Sequence, residues 1–245
     1  MAKQTGILSL VGTLDGINFY LRNGKVVARK AGGGFNGELI KKTPSMVRVR
    51  ENASEFGHCS RIKKVFKDVL FPFFGKRKDG ELHGRMMQLF TAIKDCDNVS
   101  KRGKRRVDLG LQTLEGRQLL TSFKFTTLVS PIRKGIYNAA NQSYHIESLY
   151  DDLQFPQGAT HLELSYGVVY FDFYTLTASL SLCPVLRVAQ QEDAINHTYA
   201  PTPLTDPNLT AIAVIGFRYV QEVNGGFYAL KGDSAFGLKI VGFGI

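Results

Sequence analysis

Residues 211–230 read AIAVIGFRYVQEVNGGFYAL, and the architecture of the C-terminal half follows from them. Ala211 to Val223 is a strand-like apolar run, Phe227 to Leu230 is another, and Asn224-Gly225-Gly226 stands between them. An Asn-Gly pair tolerates the positive φ of a tight hairpin turn, so the stretch predicts antiparallel strands joined directly. Ser234 to Ile245 supplies a final strand, and Tyr144 to Leu149 reads as another. Ala159 to Leu182 is rich in aromatic and β-branched residues, with Gly167 as the expected bend. Residues 190–210 hold Pro201, Pro203 and Pro207 and read as a long loop. No helical period is visible beyond about residue 110. Strands without helices predict an antiparallel β-sandwich over residues 129–245.

The N-terminal part reads differently. Gly6 to Gly12, Ile17 to Arg22 and Lys25 to Arg29 are strand-like and are separated by Asp15-Gly16 and Asn23-Gly24, the pattern of a β-meander. Three short strands are stable only with one face covered. After a glycine-rich break, Thr43-Pro44-Ser45 marks a helix start. From Met46 to Leu70 apolar residues recur in steps of three and four at Val49, Ala53, Phe56, Ile62, Val65, Phe66 and Val69. Pro72 is expected to end that helix, and Arg61, Lys63, Lys64 and Lys67 are expected on its solvent face. Leu82, Met86, Leu89, Phe90 and Ile93 mark a second helix. The two helices are expected to pair and lie on the meander. The predicted fold is therefore α+β: a basic N-terminal region over 1–128, with β-meander, helix pair and basic loop, then the sandwich over 129–245.

At 245 residues with 44% hydrophobic and 21% charged composition, the chain is too apolar for a disordered protein. No apolar run is long enough for a membrane helix, and the first thirty residues lack a signal-peptide pattern, so a cytoplasmic location without membrane insertion is expected. Three widely spaced cysteines argue against a disulfide framework. The net charge of +10 is uneven, with 25 basic and 11 acidic residues in 1–128 against 6 and 10 in 129–245. Such asymmetry suggests an anionic partner for the first half: nucleic acid, an acidic protein, or the acidic half of a neighbouring copy. Lys101, Arg102, Lys104, Arg105 and Arg106 form the densest cluster, with Lys76, Arg77 and Lys78 nearby.

Motifs with chemical meaning are weak. Gly32-Gly33-Gly34-Phe35-Asn36-Gly37 matches G-x-G-x-x-G, but Pro44 arrives too soon for the long helix a dinucleotide site needs. Gly232-Asp233-Ser234-Ala235 resembles a hydrolase nucleophile loop without supporting context around His58, His83, His145, His161 or His197. Ser60-Arg-Ile-Lys63 matches Ser-x-x-Lys by letters alone. His161 and Glu163 share a strand face but are too few for a metal site, and Asp151 with Asp152 suits a solvated turn. No cofactor is called for.

Gly12-Thr-Leu-Asp-Gly-Ile-Asn-Phe-Tyr20, Arg50-Glu-Asn-Ala-Ser-Glu-Phe-Gly57, Leu114-Glu-Gly116 and Gln221-Glu-Val-Asn-Gly225 occur in this order. As a set they resemble an uncharacterised protein family found in Bacteroidota genomes. The resemblance spans nearly the whole chain and implies a bacterial cytoplasmic product; it carries no catalytic residue. The functional expectation is a non-enzymatic structural or assembly protein, such as a subunit of a phage-like or other multimeric particle, whose partners are further copies or other subunits. The alternative is a non-specific nucleic-acid-binding protein using residues 76–106 as a phosphate clamp. On that alternative, reversing the charges of the five clustered residues abolishes binding and leaves folding intact.

Overall fold

A computed structural model describes residues 2–3, 10–31, 37–75, 77, 79–190, 195–204 and 206–244. The chain forms two compact units, Met1–Ala53 and Ser54–Ile245. The predicted strand from Gly6 lies mostly outside the described residues, as do the glycine-rich motif at 32–36 and both Lys76 and Lys78.

The first unit is an antiparallel sheet of β1 (Ala2–Lys3), β2 (Gly12–Leu14), β3 (Ile17–Arg22) and β4 (Lys25–Lys30), in the order β1-β4-β3-β2. Its tight turns are the Asx-Gly pairs: φ is 45° and 73° at Asp15-Gly16, and 51° and 75° at Asn23-Gly24. Positive φ at both central residues defines the hairpin turn whose twist matches the strands. Beyond the sheet come α1 (Gly37–Lys42), a 3-10 turn over Pro44–Met46 and the start of α2 (Val47–Val69). The Arg50 guanidinium donates to the carbonyls of Ile40 and Thr43, tying the turn to the helix.

The second unit continues with α3 (Phe71–Phe74), α4 (Leu82–Asp95), α5 (Val107–Leu111) and α6 (Leu114–Thr121). Nine strands follow: β5 (Ile132–Asn138), β6 (Ser143–Leu149), β7 (His161–Asp172), β8 (Thr177–Leu182), β9 (Leu186–Ala189), β10 (His197–Tyr199), β11 (Thr210–Val223), β12 (Gly226–Ala229) and β13 (Phe236–Gly244). They make a three-stranded sheet, β10-β6-β5, and a six-stranded one. In the larger sheet β7 pairs with β11 at its centre; β8 and β9 flank β7, while β12 and β13 flank β11. All these pairings are antiparallel, and Asn224-Gly225 makes the β11–β12 turn with φ of 50° and 78°.

Strand alternation sorts the core into two layers. Leu162, Leu164, Tyr166 and Val168 on β7, with Ala213, Ile215 and Phe217 on β11, face the smaller sheet through Tyr144, Ile146 and Tyr199. Val169 and Phe171, with Ile212 and Val214, face the helices through Cys59, Ile62 and Phe66 of α2, Leu70 just beyond its end, and Met86, Phe90 and Ile93 of α4. The fold is α+β, with helices, large sheet and small sheet in three layers. Among the described residues no helix is long and apolar enough to cross a membrane.

Several expectations need correction. The helix pair buries its apolar stripe against the six-stranded sheet, so helices and strands share one core, and the contacts divide the chain between Ala53 and Ser54 rather than after residue 128. Helices α5 and α6, of five and eight residues, are too short to show a period in sequence. Gly167 lies inside β7 and serves close approach: a Cβ there would stand 2.9 Å from the Ser181 carbonyl oxygen. The expected loop over 190–210 contains β10, whose three residues pair with β6. The long helix does end ahead of Pro72, at Val69, and Pro72 itself enters the first turn of the short α3, where its missing N–H costs nothing. On α2, Phe56 is exposed while Glu55 and Lys63 are buried.

Candidate functional site

The basic cluster is attached to the fold by acids the sequence separates widely. Glu55, 3% exposed on α2, accepts from Arg105 Nε at 2.9 Å and Nη2 at 2.7 Å, from Lys94 Nζ at 2.8 Å and from the Gly103 backbone N–H at 2.7 Å. The Arg105 guanidinium foremost holds the Glu55 carboxyl far below the usual carboxylate range, against the opposing effect of burial, and Arg105 is held up in return. Asp95 bridges the same two cations, 2.6 Å from Lys94 Nζ and 2.6 Å from Arg105 Nη1.

Asp97 organises the rest of the loop. Its buried carboxylate accepts the backbone N–H groups of Val99, Ser100 and Arg106 at 2.9, 3.0 and 2.9 Å. Burial pushes its pKa up, and those hydrogen bonds more than offset it, leaving Asp97 below its ordinary value. The Arg106 side chain pairs with Asp108 at 2.9 Å, and His58 Nε2 accepts the Val107 N–H at 3.1 Å. Burial holds the His58 pKa down, consistent with a neutral acceptor ring.

Of the predicted phosphate contacts, then, Arg105 and Arg106 are engaged internally, while Lys101, Arg102 and Lys104 are exposed. Arg77 stacks its guanidinium 5.3 Å from the Phe236 ring centroid and donates to the Gly232 carbonyl. Lys63, expected on the solvent face, is buried with Nζ 2.9 Å from His83 Nδ1.

The catalytic candidates do not converge. The segment containing Ser234 is a 3-10 turn over Asp233–Ala235, and no histidine hydrogen-bonds to Ser234 among the described residues. His161 packs edge-on against Phe227, and Glu163 pairs with Arg187 at 2.8 Å. No cluster of three or more His, Cys, Asp or Glu residues fit to hold a metal occurs among the described residues.

The N-terminal sheet carries a feature missed in sequence. Its register sets Leu14 opposite Ile17, Phe19 opposite Ala28 and Leu21 opposite Val26, which places all six apolar side chains on one face. Leu14, Ile17 and Leu21 are 65%, 42% and 60% exposed. Val27, on the opposite face beside Tyr20, is the one buried residue among the described residues of this unit. The signal was available as period-two alternation in Ile17-Asn18-Phe19-Tyr20-Leu21. No family model, no curated protein and no solved structure matches this chain.

Proposed function

We propose that the protein is a non-enzymatic structural or assembly protein, a subunit of a multimeric particle in which a neighbouring subunit covers the N-terminal sheet. The apolar face on which Leu14, Ile17 and Leu21 are exposed and Phe19, Val26 and Ala28 half-buried carries this reading. A small sheet without a core of its own needs such a cover to be stable, and contiguous exposed apolar surface marks interaction sites. The competing phosphate clamp over residues 76–106 is weakened because Glu55, Asp95 and Asp108 neutralise two of its cations.

Sedimentation velocity tests the reading. Concentration-dependent association at moderate salt is expected; a monomer across the accessible concentration range overturns it.

A further inference from the structure

We propose that Lys63, Lys67 and His83 form a binding site for a phosphate group, where the start of α4 meets α2. The site lies within the second unit and stands or falls independently of the assembly reading.

Lys63 is 8% exposed, and the one polar partner of its Nζ among the described residues is His83 Nδ1 at 2.9 Å. An ammonium carries three N–H donors, and an imidazole nitrogen satisfies one of them without supplying negative charge. Lys63 forms no ion pair among the described residues, although a buried cation ordinarily needs a counter-charge. Lys94, the other buried lysine, shows the contrast: it pairs with both Glu55 and Asp95. The surroundings of Lys63 deepen the deficit. Burial foremost, then Lys67 and Lys64 against the opposing Asp68, hold it below the usual lysine range. The acids ahead of α4 are engaged elsewhere. Asp79 accepts from Arg85 at 2.8 Å and from the backbone N–H groups of Glu81 and Leu82, and Glu81 lies 3.8 Å from the same arginine. Three lysines thus stand against Asp68. A phosphate dianion matches that excess, and its oxygens can accept from ammonium and ring N–H donors together. Lys67 and His83 are exposed and give the approach from solvent.

The same lysine leads into a cavity. Lys67 and Leu82, the residue before His83, help to line a space of about 260 Å³ whose walls include Phe71, Phe74, Phe125 and Phe236. An apolar cavity of about 150 Å³ accepts a benzene ring. The phosphate can therefore arrive as the free ion or attached to an apolar ring.

Equilibrium dialysis of the full chain against labelled inorganic phosphate tests the site, with ionic strength held constant by chloride. Saturable binding of one phosphate per chain is expected. Binding should be about tenfold or more weaker in Lys63→Met and in Lys67→Met, since each removes a charged donor. Circular dichroism confirms that each variant is folded; Lys67 is exposed, so its replacement keeps the test open if Lys63→Met does not fold. Competition separates the two sources. Phenyl phosphate displacing the label at lower concentration than unlabelled phosphate supports the site and assigns the ring to the cavity; equal displacement supports it as a site for the free ion. No saturable binding, binding undiminished in the folded variants, or displacement by acetate as effective as by phosphate overturns the proposal.

Discussion

Arg105 and Glu55 meet in a two-pronged ion pair, Nε to Oε1 at 2.9 Å and Nη2 to Oε2 at 2.7 Å, across fifty residues of sequence. The pair closes the loop after α4 onto α2 and joins it to Lys94. Removing the carboxylate would leave the buried Lys94 and the half-buried Arg105 without their main counter-charge. Breaking a buried pair on one side costs about 3–5 kcal/mol. Glu55→Ala should lower the urea midpoint by a corresponding amount, with little change in the slope.

The same network sets an acid limit. Glu55 and Asp97 both titrate below their ordinary values of 4.5 and 3.8 in the folded chain. The unfolded chain therefore binds protons first as the pH falls. Their contribution is complete at neutral pH and is lost progressively as the pH drops below the usual carboxylate range. Thermal melts between neutral and acid pH should show a falling midpoint, and the fall should be shallower in Glu55→Gln, from a lower starting value.

Charge reversal should separate the basic residues into two groups. Lys101→Glu with Lys104→Glu alters exposed positions, where substitutions typically change stability by no more than about 0.5 kcal/mol. Arg105→Glu places a second carboxylate against Glu55 and should unfold or strongly destabilise the chain, as read by circular dichroism. Reversing all five clustered charges is thus not a neutral probe of nucleic-acid binding.

Gly110 sits where α5 meets α4, and a Cβ there would fall 1.9 Å from the Ile93 carbonyl oxygen. Backbone on both sides cannot yield cheaply, so Gly110→Ala should cost about 1–3 kcal/mol through displaced helices. A lowered melting temperature with faster hydrogen exchange in 107–121 would show it. Unchanged exchange there would refute the close approach.

What could be read in the chain was local. Asn23-Gly24 and Asn224-Gly225 announce their turns because positive φ is a property of the pair itself. Leu82, Met86, Leu89, Phe90 and Ile93 announce α4 because one stripe is apolar over several turns, and all five are buried. The Glu55–Arg105 contact was hidden, since a buried carboxylate looks like any surface Glu until its partners are brought in by packing. So was the true support of the helices: periodicity says which stripe is buried and not what buries it. The apolar sheet face lay in plain alternation but gains meaning only when the register lines up Leu14, Ile17, Phe19 and Ala28.

The central strands β7 and β11 have no bare side: Phe171 and Val214 lean into one layer while Tyr166 and Phe217 lean into the other. Both coverings hang on the same spine, so neither can melt away without stripping it. A fragment cut to 129–245 would lose its helical lid, expose a broad greasy surface and precipitate, whereas one beginning at Ser54 should stay dispersed and denature in a single step.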